Sequence, residues 1–101
     1  MVHIKELYYI ETENAKKKLL LFHTKNEIIS VSGIITDWEK RLQNYGFALC
    51  YRSLLVNLTH IHFIDNKFLY LTNGEQLPVS RNKLSKLKSQ YINQIASFPY
   101  S

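Results

Sequence analysis

The sequence predicts a mainly β domain with antiparallel sheets, a short helix near the middle and a longer helix at the C-terminal end. Short runs of β-branched and aromatic residues recur along the chain and alternate with turn-forming residues, which is typical of strands joined by hairpins. Only two segments repeat their apolar residues with a helical period. The 101 residues include three Gly and two Pro and contain no repeat or low-complexity stretch, so we expect one domain over residues 1–101.

The first half of the chain is predicted to form three strands, connected by a polar bend and then by a tight turn at Thr24, Lys25 and Asn26. The strands are expected at residues 7–10, 17–23 and 27–31.

A short helix is expected after the third strand. Ile34, Trp38 and Leu42 recur at four-residue steps, which puts them on one apolar face. Ser32 is expected to cap this helix, and Gly46 to end it.

The second half is predicted to hold the remaining strands and a terminal helix. Residues 47–51 are apolar on both faces, which predicts a central strand that is covered on both sides. Asn73 and Gly74 suit a tight hairpin turn that requires positive φ. Ser80 is expected to cap the terminal helix, whose apolar stripe is Leu84, Leu87, Tyr91 and Ile95. Further strands at 61–64, 68–71 and 76–79 bring the expected total to six or seven.

The charge balance favours an anionic partner. Thirteen Lys and Arg against eight Asp and Glu give a net charge of +5 and a pI near 9.4. A domain of this size then carries a positive potential toward nucleic acid, an anionic membrane or an acidic protein.

The single cysteine and the N-terminal residues bear on location. Cys50 has no partner for an internal disulfide, which favours a reducing compartment. The N-terminal segment lacks an apolar signal core, and the apolar runs are too short to span a bilayer. We therefore expect a cytoplasmic protein.

Basic residues are concentrated at turns and at the ends of elements. A lysine run ends the first loop, Arg52 follows the strand at 47–51, and Arg81 opens the terminal helix beside Asn82 and Lys83. Guanidinium groups on turns between rigid elements are well placed to bind phosphate, and helix N-termini favour the same ligand. Each residue could equally be a solvated surface charge.

Other sites are weakly supported. His60 and His62 would share a strand face, but no third ligand accompanies them at a suitable spacing, so we expect no metal. Cys50 is expected to be a buried apolar residue, with a redox role for its thiol as the alternative. Serine, histidine and carboxylate residues form no catalytic set and no Gly-rich phosphate loop occurs, so we expect neither an enzyme nor a cofactor.

Aromatic residues could form base-stacking platforms, but their spacing also fits strand faces, and core packing is the favoured interpretation. The residues concerned are Tyr8, Tyr9, Tyr45, Tyr51 and Phe63.

The motifs of the second half, taken together, resemble those of the LytTR family, the DNA-binding domain of many bacterial response regulators. The family pattern has Phe opening a strand, a Ser-x-Leu-Val-Asn segment, an Ile-x-x-Ile strand, and Asn-Gly-x-x-Leu-Pro-Val-Ser-Arg before the last helix. Leu49 and Tyr51 depart from this pattern, because the family often has Arg and His there. The matching residues are Phe47, Ser53, Leu55, Val56, Asn57, Ile61, Ile64, Asn73, Gly74, Leu77, Pro78, Val79, Ser80 and Arg81, and residues 7–11 match an upstream strand.

The resemblance implies an elongated stack of small antiparallel sheets (β-β-β), whose loops enter successive major grooves of promoter repeats. It implies sequence-specific binding of double-stranded DNA in bacterial transcription, with some bending of the DNA. A second copy on an adjacent repeat and an upstream receiver domain would be partners. The DNA-contacting positions carry over as Lys16, Lys17, Arg52, Arg81 and Asn82. The alternative function is a basic protein-interaction module without DNA specificity.

Overall fold

The computed structural model describes residues 3–13 and 18–96. The described residues form a mainly β structure with two α-helices, and the molecule is elongated, with principal extents of 41 × 32 × 26 Å. The expected fold class is confirmed. In chain order the elements are β1 (Leu7–Thr12), β2 (Leu19–Thr24), β3 (Ile28–Ser32), α1 (Ile35–Leu42), β4 (Phe47–Tyr51), β5 (Leu54–Asn57), β6 (Ile61–Ile64), β7 (Phe68–Leu71), β8 (Gln76–Pro78) and α2 (Arg81–Ala96).

The strands form two antiparallel sheets. The five-stranded sheet has the order β3-β2-β1-β5-β4, and the three-stranded sheet has the order β6-β7-β8. The predicted hairpins β2–β3, β6–β7 and β7–β8 are all present. In the last of these, Gly74 has a φ of +92° and donates its N–H to the carbonyl of Leu71, which confirms the need for glycine at this turn.

Strand β5 is the element that the sequence pattern does not reveal. All four of its residues are buried, so the alternation of apolar and polar residues that marks a half-exposed strand is missing. It lies inside the sheet, paired with β1 on one side and β4 on the other. The described residues therefore contain eight strands, where six or seven were predicted.

The prediction that β4 is central is wrong in one respect. β4 is the edge strand of the five-stranded sheet, but both of its faces are covered, one by α1 and the other by α2. Both faces of β4 are apolar because a helix packs on each of them, not because β4 lies in the middle of the sheet. Its edge is partly occupied, because the carbonyl of Cys50 accepts the N–H of Ser80 at 2.9 Å.

The two helices begin close to the predicted positions, with one correction. Ser32 does not cap α1, since Ser32 is still paired in β3 and Ile34 is the N-cap residue, with no side-chain hydrogen bond. Ile34 is 47% exposed, and the neighbouring Ile35 is buried in its place. Ser80 directly precedes α2 as expected, and its carbonyl accepts the N–H of Lys83.

The five-stranded sheet has a hydrophobic core on each face, because alternate side chains of a strand point to opposite sides. The first core lies under α1, and the second lies between the sheet, β6–β8 and α2. The first contains Leu7, Ile10, Leu20, Phe22, Ile35, Leu42, Phe47 and Leu55. The second contains Tyr9, Ala48, Cys50, Leu54, Val56, Leu58, Ile61, Leu69, Leu71, Leu77, Val79 and Leu87.

Asn57, at the end of β5, is the one polar residue that is buried among those described. Its amide donates to the carbonyl of Leu7 at 2.9 Å and of Ile4 at 3.3 Å. Its carbonyl oxygen accepts the N–H and the hydroxyl of Thr59 at 3.1 and 2.8 Å. One side chain thus joins the start of β1 to the segment that leads into the second sheet.

We predict that Asn57→Ala lowers the free energy of unfolding by about 2–3 kcal/mol, since the buried carbonyl of Leu7 and the N–H and hydroxyl of Thr59 lose their hydrogen bonds. Urea denaturation measures this change. Asn93→Ala, on the exposed side of α2, serves as the control and should change stability by less than about 0.5 kcal/mol. Equal effects of the two substitutions would contradict the role assigned to Asn57.

Cys50 is fully buried in the second core, and burial raises the pKa of its thiol from 9.0 to about 12. We predict that a thiol-alkylating reagent reacts slowly with the native protein at pH 8 and fully after unfolding in guanidinium chloride. Because the folded pKa is the higher one, the stability from this group is complete below pH 9 and falls as the pH rises towards 12. Rapid alkylation of the native protein would contradict the burial of Cys50.

Candidate nucleic-acid interface

Arg52 and Ser53 form the two-residue turn between β4 and β5, and Arg52 is exposed there. The pairing of β4 with β5 shifts between Leu49 and Tyr51, so β4 contains one extra residue immediately before the turn. Such a β-bulge bends the strand and changes the direction of the side chains that follow. Arg52 therefore projects from the protein although Cys50, two residues earlier, is fully buried.

The start of α2 lies directly beside this turn. The N–H of Ser80 donates to the carbonyl of Cys50 at 2.9 Å, which fixes the first turn of the helix against the end of β4. The hydroxyl of Ser80 donates to Oδ1 of Asn82 at 3.0 Å and so orients that amide. Arg81 and Asn82 are both exposed.

Between the two segments lies a shallow depression of about 310 Å³. Its lining includes Arg52 and Asn82, and Lys83 adds a second cationic group. Arg81 is adjacent to Asn82 in α2 but does not line the depression. The structure thus brings Arg52 and Asn82 together in one site, with Arg81 next to it. The lining residues are Tyr51, Arg52, Ser80, Asn82 and Lys83.

Lys16 and Lys17, the predicted contacts of the first loop, lie outside the described residues. The two ends of their loop are described. Thr12 donates its N–H to the carbonyl of Ser53 at 3.1 Å, which places the end of β1 next to the turn that carries Arg52.

The other end of this loop is also fixed by a backbone hydrogen bond. Lys18 is exposed, has a φ of +60° and accepts the N–H of Gly33 on its carbonyl at 2.8 Å. The β1–β2 loop, the β4–β5 turn and the start of α2 are therefore neighbours at one end of the five-stranded sheet. We call this surface the basic rim, and its described members are Lys18, Arg52, Arg81, Asn82 and Lys83.

The distribution of charge favours an anion at this surface. α2 carries Arg81, Lys83, Lys86 and Lys88 in its first half and contains no Asp or Glu. Within the part of the chain that the structure describes, the one contact at ion-pair distance is that of His23 with Glu11, which joins β2 to β1, so none involves Arg52, Arg81 or Lys83. Positive groups at turns of this kind are suited to phosphate and to the acceptor edges of guanine.

Tyr51 and Lys83 line this depression, but they are not among the DNA contacts predicted from the sequence. Lys83 could have been found from the basic opening of α2, of which it is the third residue. Tyr51 gives no such signal, because only the packing of α2 beside β4 makes its side chain part of the depression.

The two histidines considered as metal ligands lie in different elements. His60 belongs to a 3-10 turn (Leu58–His60), whereas His62 lies in β6, so the prediction that they share a strand face is wrong. His60 stacks on Tyr8 with ring centroids 4.2 Å apart, and its Nε2 contacts the carbonyl of Lys5. No group of three candidate metal ligands occurs among residues 3–13 and 18–96.

The aromatic residues divide into two sets. Tyr9 is buried and donates its hydroxyl to Glu75 at 2.8 Å, as core packing predicts. Tyr45 is 59% exposed and Phe63 is 47% exposed, and Tyr51 is also exposed, so core packing is the wrong prediction for these three. Of the exposed aromatic residues that the structure describes, Tyr51 is the one that lines the depression beside Arg52.

Burial also decides between the two interpretations of Cys50. A redox-sensing cysteine needs an accessible thiolate, but the thiol of Cys50 is enclosed and its pKa is raised. Cys50 is a packing residue of the second core, as the favoured interpretation predicts.

Comparison with known proteins identifies the family. A sequence profile described as the LytTr DNA-binding domain matches residues 1–92 of the chain. Among solved structures, the LytTr DNA-binding domain of a protein assigned as a methyl-accepting/DNA response regulator of Bacillus cereus is similar in fold. Its TM-score is 0.74 at 25% sequence identity, and the match covers 96% of this chain and 86% of that one. No curated protein sequence matches the chain.

The family is one of DNA-binding domains and not of enzymes. In the part of the chain that the structure describes, no helix is long and apolar enough to cross a membrane. The profile match over most of the chain and the shared fold lead to one conclusion: the chain belongs to the LytTR family of DNA-binding domains.

Proposed function

We propose that the chain binds double-stranded promoter DNA sequence-specifically in bacterial transcription regulation. The basic rim is the contact surface, and Lys16, Lys17, Arg52, Arg81 and Asn82 supply contacts from three adjacent segments. The observation that carries the proposal is the convergence of Arg52 and Asn82 on one depression beside the ends of the β1–β2 loop.

The chemistry of these groups suits the two tasks of a DNA-binding surface, which are to read the base sequence and to bind the phosphate backbone. Arg81 and Asn82 can make bidentate contacts with guanine and adenine in the major groove. The lysines of the first loop neutralise phosphates and fix the register of the protein on the duplex. Arg52, between these two segments, either clamps a phosphate or reaches a base edge.

The spacing of the rim predicts bent DNA. The start of β2 and the end of β4 are three strand intervals apart in the five-stranded sheet, which at about 4.8 Å per interval separates them by roughly 14 Å. Successive major grooves on one face of B-DNA are about 34 Å apart. The long side chains at the two ends of the rim cover part of the difference, and curvature of the duplex toward the rim covers the rest.

Further partners follow from the same function. The Bacillus cereus relative is assigned as a response regulator, which supports an upstream receiver domain for this chain as well. A second copy would occupy an adjacent promoter repeat, and binding to chromosomal DNA would take place in the cytoplasm. Selection of bound duplexes from a random pool tests this proposal, since it yields both the recognised motif and the repeat spacing.

The competing function is that of a basic protein-interaction module. Electrophoretic shift assays on random duplex at low salt and at ~200 mM salt separate the two, because several phosphate contacts give a steep salt dependence. Failure of the random pool to enrich any motif would favour the interaction module.

We predict that Arg52→Ala and Arg81→Ala each weaken binding to the selected duplex by about 1–3 kcal/mol, because each removes a charge-assisted contact at the rim. Fluorescence anisotropy titrations measure the affinity. The control is Lys25→Ala, which removes an exposed cation from the β2–β3 turn at the opposite end of the same sheet. If both arginine variants bind like Lys25→Ala, the rim is not the contact surface.

We predict a different effect for Lys17→Ala, since a phosphate contact carries no sequence information. The slope of log K against log salt should fall by about 1, and cognate and scrambled duplexes should be affected equally. A loss confined to the cognate duplex would instead identify Lys17 as a base contact.

A further inference from the structure

A second basic surface adjoins the rim on one flank of α2. Lys83, Lys86 and Gln90 recur at three- and four-residue steps and therefore share one face of the helix. They line a narrow groove whose other walls are Leu49 of β4 and Glu39 of α1. Lys83 also lines the depression at the basic rim, so the two surfaces are continuous.

The lysines of this flank carry charges that no described residue pairs with. Neither Lys83 nor Lys86 forms an ion pair with any of the described residues, and Lys86 is exposed to solvent. Glu39 is the one carboxylate that lines the groove, so the two ammonium groups outnumber the acids there. Such an excess of like charge costs stability in the free protein and favours an external anion.

The opposite flank of α2 differs. Lys88 donates a hydrogen bond from Nζ to Oδ1 of Asn66 at 3.4 Å and faces the apolar side of β6, near Phe63 and Ile92. Lys88 therefore lies on the same helix as Lys83 and Lys86 but outside the groove, which makes it a control for the loss of a lysine from α2.

The groove includes Leu49, one of the two positions at which the chain departs from the family pattern. Leu49 is half-buried and packs against the first core, so β4 itself presents no charge here. The positive groups beside Leu49 all come from α2. A polyanion that binds across the rim and continues along this flank of α2 would therefore contact Lys83 and Lys86.

We propose that Lys83 and Lys86 form a phosphate-binding strip, which extends the DNA interface from the basic rim along α2. The strip binds the sugar-phosphate backbone that flanks the bases contacted at the rim, and Gln90 marks its far end. Glu39 opposes this contact by charge repulsion. The inference rests on the proposed DNA-binding function and adds Lys86 and Gln90, which neither the family motif nor the rim includes.

The test compares Lys86→Ala with Lys88→Ala on the selected duplex and on a scrambled duplex over a series of salt concentrations. Loss of one phosphate contact lowers the salt slope by about 0.9, which corresponds to about a fivefold weaker affinity at 0.15 M salt. We expect this loss for Lys86→Ala on both duplexes, and less than half of it for Lys88→Ala. Glu39→Gln should strengthen binding to both duplexes, since it removes a negative charge from the groove.

The outcomes separate this inference from the proposed function. If Arg52→Ala and Arg81→Ala weaken binding but Lys86→Ala has the same effect as Lys88→Ala, the proposal of a phosphate-binding strip is wrong. The proposal that the rim contacts DNA is then retained. If none of these variants weakens binding, both are wrong. A loss for Lys86→Ala on the cognate duplex alone would also overturn the strip, because phosphate contacts do not distinguish sequences. Thermal unfolding of each variant verifies the fold, and Lys86 is chosen because its exposed side chain contributes little packing.

Discussion

Three backbone hydrogen bonds at one end of the five-stranded sheet hold in place the chain segments that form the basic rim. The carbonyl of Ser53 accepts from Thr12, that of Cys50 from Ser80, and that of Lys18 from Gly33. These bonds join chain segments that are 15 to 41 residues apart in sequence and bring three turns to one surface. Because main-chain groups make the bonds, the side chains at the turns are left available for a ligand.

The scaffold behind this surface is held by packing on both faces of one sheet. α1 covers the first core and α2 covers the second, and the edge strand β4 lies between the two helices. This arrangement explains why a segment as short as β4 can carry Arg52 at a defined position: its backbone is paired on one side, and Phe47, Ala48 and Cys50 are buried against the two cores. The bulge before Arg52 then directs the guanidinium outward.

Neighbouring residues of a single motif divide between buried structural positions and exposed positions. Arg52 is exposed at the turn, whereas Asn57, five residues later, is buried and uses its whole amide to connect β1 with the entry to the second sheet. The same division holds around Ser80, because Val79 belongs to the second core and Arg81 is exposed. A motif of this family thus contains both the residues that place the site and the residues that would act in it.

The sequence by itself determined the mainly β class, the hairpins and the two helices, because hydrophobic period and turn chemistry act over a few residues. It also indicated which cations lie at turns. The order of the strands, the edge position of β4 and the existence of β5 were decided only by tertiary structure, since long-range pairing leaves no local periodicity in a fully buried strand. For the same reason, only the packing of α2 beside β4 decided that Arg52, Asn82, Lys83 and Tyr51 share one depression.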